Sequence, residues 1–257
     1  MAAAVDLLQC GAMTVLFAFT SAQNSIGFIC GDDLEANNQR RVDKVVSCWD
    51  RFAIGVYGVD VLKTAVSLAA YFDQHTARVL KGNGAAVQGP TSVHALCDAV
   101  AACLPRLVAH ELNVLHAAVN QQRMSLQQQQ AWLATSGGLA ILDHQTLDLY
   151  EAKPHQPIAQ AATSPPKFVV STLTDGHGWR FGVNGTTDLG QLQSHSLKAP
   201  RTWAQSELGQ AVALCHAHGQ PGVLGNLGSI FTKDVHGTTY QSVHSTFDDI
   251  LTAVGYP

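Results

Sequence analysis

The stretch that decides the fold is residues 13–66, MTVLFAFTSAQNSIGFICGDDLEANNQRRVDKVVSCWDRFAIGVYGVDVLKTAV. It contains four strand-like apolar runs, 15–19, 26–30, 42–49 and 52–57. Short polar links separate the runs within each pair, which predicts two β-hairpins, the second of them turning at Asp50 and Arg51. Gly58 ends the second pair. A helix is expected directly after it, because apolar residues recur at helical spacing over 61–72.

Downstream of this stretch, the sequence predicts more helices and strands. The further helices are expected at 92–119, 203–218 and 246–254. The further strands are expected at 132–134, 139–143, 147–151, 167–173, 179–183, 223–231 and 238–243. Surface connections are expected at 82–90, 121–130 and 153–166. Thr91 or Ser92 caps the helix 92–119, Pro105 is expected to kink or split it, and strands 167–173 and 179–183 are expected to pair.

The order of these elements indicates the fold class. Helices are grouped between runs of strands instead of alternating with single strands, which disfavours a doubly wound parallel sheet. The pattern predicts an α+β chain with two antiparallel sheets flanked by helices. The length of 257 residues is enough for one large domain with its own core.

Composition excludes several function classes. The formal net charge of −4 gives no basic excess for binding phosphates, so we expect no nucleic-acid partner. No apolar run approaches the roughly 18 residues that span a bilayer, and residues 1–12 lack a secretory pattern, so we expect no membrane partner and a cytoplasmic location. Only 13% of residues are charged, which favours a surface partly buried against partner subunits.

Cysteines and histidines give no clear metal pattern. The six cysteines include no C-x-x-C pair, as expected for reduced thiols of a cytosolic protein. Cys215, His216 and His218 form the one dense cluster, and no second cluster offers further ligands. The signatures of serine hydrolases, P-loop enzymes, dinucleotide-binding enzymes and zinc peptidases are absent from the sequence. We therefore expect neither a metal nor a cofactor.

Residues 13–66 resemble the opening of proteasome β-type subunits and their bacterial relatives in the N-terminal-nucleophile hydrolase superfamily. The positions that carry the resemblance are Thr14, Asp32, Lys44 and Gly58, with the run Lys44-Val45-Val46 and the fourteen-residue step from Lys44 to Gly58. The resemblance implies a four-layer αββα sandwich, formed by a single domain over 14–257 behind a leader of residues 1–13. It also implies a threonine-type endopeptidase that assembles into a ring or double ring and cleaves peptides or unfolded proteins, with an unfoldase ATPase as a candidate partner.

The chemistry that this set implies is coherent. A threonine hydroxyl needs a base, and the α-amino group of Thr14, with an ordinary pKa of about 8, supplies one if Thr14 becomes the first residue. Lys44 would favour the alkoxide and, by like charge, lower the pKa of that amino group. Asp32 would keep Lys44 charged and oriented. The Gly58 N–H would stabilise the oxyanion of the tetrahedral intermediate.

Several positions depart from the family pattern. Residues 1–13 must be absent for the site to form, and Met13 is a candidate for the true start. Asp33 and Leu34 replace the small and basic residues that usually follow the aspartate. The serines and the aspartate that assist the family's terminal amine have no clear counterpart, and Ser136 and Thr186 are candidate substitutes.

Two other interpretations stay open. One is a catalytically inactive proteasome-like ring subunit that keeps its leader. The other is an N-terminal-nucleophile amidase that uses Cys10, because Cys10-Gly11 precedes an apolar strand. Val45, Cys48 and Val56 suggest an apolar or small substrate pocket for the peptidase.

Overall fold

The computed structural model describes residues 14–35, 40–81, 89–182, 185–219 and 223–241. The expected leader 1–13, Cys10 and the expected helix 246–254 lie outside these residues.

Two large antiparallel sheets dominate the structure. The first sheet has six strands in the order β11-β10-β1-β2-β12-β13, and the second has five in the order β5-β6-β7-β8-β9. The strands of the first sheet are β1 (Leu16–Ser21), β2 (Ile26–Asp32), β10 (His177–Gly182), β11 (Gly185–Gln191), β12 (Leu227–Asp234) and β13 (Gly237–Gln241). Those of the second sheet are β5 (Val45–Cys48), β6 (Phe52–Tyr57), β7 (Gly138–Asp143), β8 (Asp148–Pro154) and β9 (Phe168–Thr172). A small separate pair is formed by β3 (Leu34–Glu35) and β4 (Arg40–Arg41).

Five α-helices accompany the sheets in the described part of the chain. They are α1 (Asp60–Lys81), α2 (Val93–Asn120), α3 (Leu126–Ala134), α4 (Ser194–Lys198) and α5 (Pro200–Ala217). A short 3-10 helix covers Ile158–Ala162. The α+β class with two antiparallel sheets is confirmed, and the arrangement is compatible with a sandwich.

Strand β1 shows why the two sheets lie where they do. Its residues alternate between two buried faces, which explains why the strand begins with four consecutive apolar residues. Phe17 and Phe19 pack with Trp203 of α5, whereas Leu16 and Ala18 belong to a cluster shared by both sheets. We call this the inter-sheet cluster; its buried members are Leu16, Ala18, Ile29, Val45, Ala53, Tyr57, Ala140, Leu142, Leu149, Phe181 and Phe231.

The opposite face of the second sheet is covered by α1 and α2. Val56 and Ile141 of the sheet pack there with Leu62 of α1 and Leu104 of α2. By length and composition α2 could also cross a bilayer, but a core helix passes the same test and α2 buries a full face in this cluster.

Several predicted elements need correction. α2 continues through Pro105, so the expected split is wrong, and Ser92 is its cap. The expected strand 132–134 and part of the expected connection 121–130 form α3 instead, because Ser125 and Gln128 make a capping box. β9 and β10 lie in different sheets, so the hairpin expected from 167–173 and 179–183 does not exist, and β11 was not predicted.

Candidate active site

The strand directions bring the four predicted residues to one end of the two sheets. Thr14 comes just before β1, and Asp32 is the last residue of the antiparallel neighbour β2. The Val15 N–H donates to Asp32 Oδ1 over 3.0 Å, and the Asp32 N–H donates to the Val15 carbonyl over 3.1 Å. The carboxylate of Asp32 is therefore anchored to the peptide group that follows Thr14.

Lys44 completes a buried ion pair with this carboxylate. Its Nζ lies 2.8 Å from Asp32 Oδ1 and donates to the Leu34 carbonyl over 2.6 Å. The side chain of Lys44 is 6% exposed and that of Asp32 is 0% exposed. Lys44 Nζ and the Val15 N–H contact the same carboxylate oxygen, so the ammonium lies beside the backbone of Thr14.

The other oxygen of Asp32 is also hydrogen-bonded. Asp32 Oδ2 accepts the N–H of Leu34 over 3.3 Å and the N–H of Gly225 over 3.4 Å. Three backbone donors and one ammonium thus complement the charge of this carboxylate, which fixes its orientation.

Gly31 lets Lys44 reach Asp32. A Cβ built on Gly31 would lie 2.8 Å from Lys44 Cβ and 3.0 Å from Leu16 Cδ2. The stem of Lys44 therefore crosses the face of β2 that only a glycine leaves open. Sequence reasoning missed Gly31, although its place directly before Asp32 was a usable signal.

Leu16 and Lys44 share a layer of the structure. Leu16 of β1 faces the inter-sheet cluster and Val15 before it packs in the cluster of Phe17, so the alternation of the strand predicts the face of Leu16 for Thr14. Lys44 lies over Gly31, the partner of Leu16 in the strand pairing, on that face as well. Thr14 itself is partly buried.

Gly58 forms the corner between β6 and α1. Its φ is +91°, and a Cβ there would lie 2.4 Å from both Gly137 Cα and the Ser136 carbonyl oxygen. Glycine is required on both grounds. The Val56 N–H donates to the Lys44 carbonyl over 2.9 Å, so strand alternation puts the N–H of Gly58, two residues further, on the same edge of the strand, towards the segment that leads into β5. Among the described residues the Gly58 N–H has no hydrogen-bond partner.

A second polar group lies at the same end of the second sheet. Glu151 Oε1 accepts the hydroxyls of Tyr57 and Thr186 and pairs with Lys153 Nζ at 2.8 Å. Burial, and then the neighbouring Glu151, raise the pKa of Tyr57. The Thr186 hydroxyl therefore donates to Glu151, and the Ser136 carbonyl oxygen lies against Gly58.

The residues suggested for a substrate pocket do not share a face. Val45 belongs to the inter-sheet cluster, whereas Cys48 and Val56 pack against the helices. The predicted pocket is wrong as a set of three, because side chains alternate between the two faces of a strand. Cys48 is an odd number of positions from Val45 on β5, and Val56 is next to Gly55, the partner of Val45 on β6.

No metal site emerges in the part of the chain that the structure describes, where no three metal-ligating side chains gather. Cys215, at the end of α5, is buried in the cluster of Phe17 and Trp203.

Comparison with known proteins adds no relative. The sequence matches no protein-family model and no curated protein sequence.

Proposed function

We propose that this chain is a threonine-type endopeptidase subunit with the four-layer fold of N-terminal-nucleophile hydrolases, in which Thr14 becomes the first residue. One observation carries the proposal. A buried lysine–aspartate pair is anchored to the peptide group directly after Thr14, at a 2.8 Å ion-pair distance and a 3.0 Å hydrogen-bond distance. In the proposed enzyme this pair supplies a fixed positive charge near the Thr14 hydroxyl, which must lose its proton.

The first half of the reaction forms an ester. The α-amino group of Thr14 takes the proton of its own hydroxyl, and the hydroxyl oxygen adds to the scissile carbonyl carbon. The oxyanion accepts a hydrogen bond from the Gly58 N–H, while Lys44 stabilises negative charge on the threonine oxygen. The carbon–nitrogen bond then breaks, and the leaving amine takes the proton from the α-ammonium group.

The second half repeats this proton transfer with water. The α-amino group accepts a proton from water, whose oxygen adds to the ester carbon. The bond between the ester carbon and the threonine oxygen then breaks, the carboxylic acid is released, and the α-ammonium group returns the proton to the threonine oxygen. Asp32 keeps Lys44 in place throughout and exchanges no proton.

Assembly into a ring or double ring in the cytoplasm, with an unfoldase ATPase as partner, belongs to the same proposal. The low charged fraction of 13% supports burial of surface between subunits. Sedimentation of the purified chain tests the ring, and a monomer at micromolar concentration would contradict it.

The catalytic test compares Thr14→Ala and Thr14→Ser. We expect Thr14→Ala to abolish cleavage of a fluorogenic tripeptide and labelling by a peptide vinyl sulfone, while Thr14→Ser keeps measurable labelling. Intact mass of protein from its native host should show a chain that begins at Thr14. A chain that begins at Met1 and is not labelled would support the inactive ring subunit instead, and labelling at Cys10 would support the amidase.

A further inference from the structure

Strand β12 carries a buried hydroxyl that contacts the backbone of Lys44. Ser229 Oγ accepts the Lys44 N–H over 2.7 Å and donates to Asp43 Oδ1 over 3.0 Å. Ser229 is 0% exposed, and Asp43 and Lys44 are also buried. A serine has one hydroxyl proton, and its donation to Asp43 leaves a lone pair of Oγ for the Lys44 N–H.

A break in the sheet register places Ser229 there. Leu227 pairs with Asp32 and Ile230 pairs with Cys30, so β12 contains one residue more than β2 over this interval. This is a β-bulge, a feature that redirects side chains near functional sites. The bulge lies directly beside Asp32, the carboxylate that holds Lys44.

This contact provides the hydrogen-bond partner of the Lys44 backbone N–H. Its side chain is held by Asp32 and Leu34, its carbonyl accepts the Val56 N–H over 2.9 Å, and its N–H is held by Ser229. Ser229 belongs to the first sheet, whereas Lys44 leads into β5 of the second. The hydroxyl therefore links the two sheets at the site.

We propose that Ser229, oriented by Asp43, is a positioning residue for Lys44, and this inference rests on the proposed function. Without the hydroxyl, the Lys44 N–H and one Asp43 oxygen lose a partner in a dry environment. The backbone of Lys44 then shifts and carries the ammonium away from Thr14, which lowers the rate of ester formation more than it weakens substrate binding.

The test uses Ser229→Ala in the full chain, with Ser125→Ala as the matched control. Ser125 caps α3 through its hydrogen bonds with Gln128, which do not involve Lys44, Asp32 or Ser229, and its removal destabilises the chain. For Ser229→Ala we expect kcat for the tripeptide to fall about 10- to 100-fold with KM changed less than about threefold. Ser125→Ala should leave both constants unchanged. A second variant, Asp43→Asn, keeps an acceptor for the hydroxyl and should lose less kcat than Ser229→Ala.

A second readout does not depend on activity. Acetylation by an acylating reagent, followed by peptide mass spectrometry, compares Lys44 with the exposed Lys198 of α4 in the same sample. We expect Ser229→Ala to raise the relative acetylation of Lys44 at least about fivefold, and Ser125→Ala not to raise it. Raised acetylation in a chain without wild-type cleavage would support the positioning role and overturn the peptidase. Unchanged kcat and unchanged Lys44 acetylation in Ser229→Ala, with an active wild type, would overturn the positioning role alone.

Discussion

Replacing Lys44 by methionine tests the buried ion pair most directly. Methionine has a similar length and no charge, so the change removes the ammonium 2.8 Å from Asp32 Oδ1 and leaves a carboxylate that is 0% exposed. Removing one partner of a buried pair costs about 3–5 kcal/mol of unfolding free energy. Asp32 keeps three backbone donors, so we expect the lower end, about 3 kcal/mol.

Guanidinium unfolding followed by tryptophan fluorescence at pH 7 measures this loss. For a chain of this size it corresponds to a melting temperature about 6–12 °C lower. The control is Asp32→Asn, which removes the charge and keeps an acceptor. In the double variant Lys44→Met/Asp32→Asn no charge is left unpaired, so its loss should be smaller than the sum of the two single losses by about 1–3 kcal/mol. A loss under about 1 kcal/mol for Lys44→Met, or strict additivity, would refute the buried pair.

Four further predictions follow from the packing. Gly58→Ala should cost about 2–4 kcal/mol in urea unfolding, since the new Cβ meets backbone atoms at 2.4 Å and φ is +91°; a loss under about 1 kcal/mol would contradict this corner. Trp203→Ala should cost about 3–5 kcal/mol by the same assay, because the indole packs against three phenylalanine rings of β1 and β2; a near-neutral result would contradict that packing. Ser125→Ala should cost about 1 kcal/mol, measured by thermal unfolding, and a stabilised variant would contradict the capping box. Burial raises the pKa of Cys48 and of Cys97 from 9.0 to about 12. Between pH 9 and pH 12 these thiols therefore ionise in the unfolded chain but not in the folded one. The unfolding free energy should fall as the pH rises through this range, by up to about 1.4 kcal/mol per pH unit for each thiol. Cys48→Ala should make that slope shallower, and an unchanged slope would contradict its burial.

The sequence predicted the part of the site that lies on continuous local patterns. Two apolar strand pairs and the helix after Gly58 are local features, and strand direction then puts Asp32 and Lys44 at one end. The bulge that presents Ser229 could not be predicted, because it depends on the register between β12 and β2, which are about two hundred residues apart in the chain. The open face at Gly31 is likewise visible only once Lys44 lies across it.

The errors in the fold have a similar origin. The composition of the Gln-rich segment after α2 predicts a surface connection, but Ser125 and Gln128 form a capping box that starts a helix there. Strands 167–173 and 179–183 are expected to pair, but the turn at Asp175 and Gly176 between them carries the chain from one sheet to the other instead of closing a hairpin. A turn signal fixes a change of direction, and tertiary packing decides which strand becomes the neighbour.

Two ion pairs lie at opposite ends of β6, and stability explains only one of them well. Arg51 binds Asp143 through Nε and Nη2 and also donates to a backbone carbonyl before α2, and it remains partly exposed. Arg51 therefore connects a turn, a strand and the start of a helix, which is a structural role. Lys44 and Asp32 flank the small β3–β4 pair, which already joins the chain on either side of it, and burying their charges costs more than an apolar pair would. The arrangement is therefore poorly explained by stability and is well explained by the proposed need for a fixed ammonium beside Thr14.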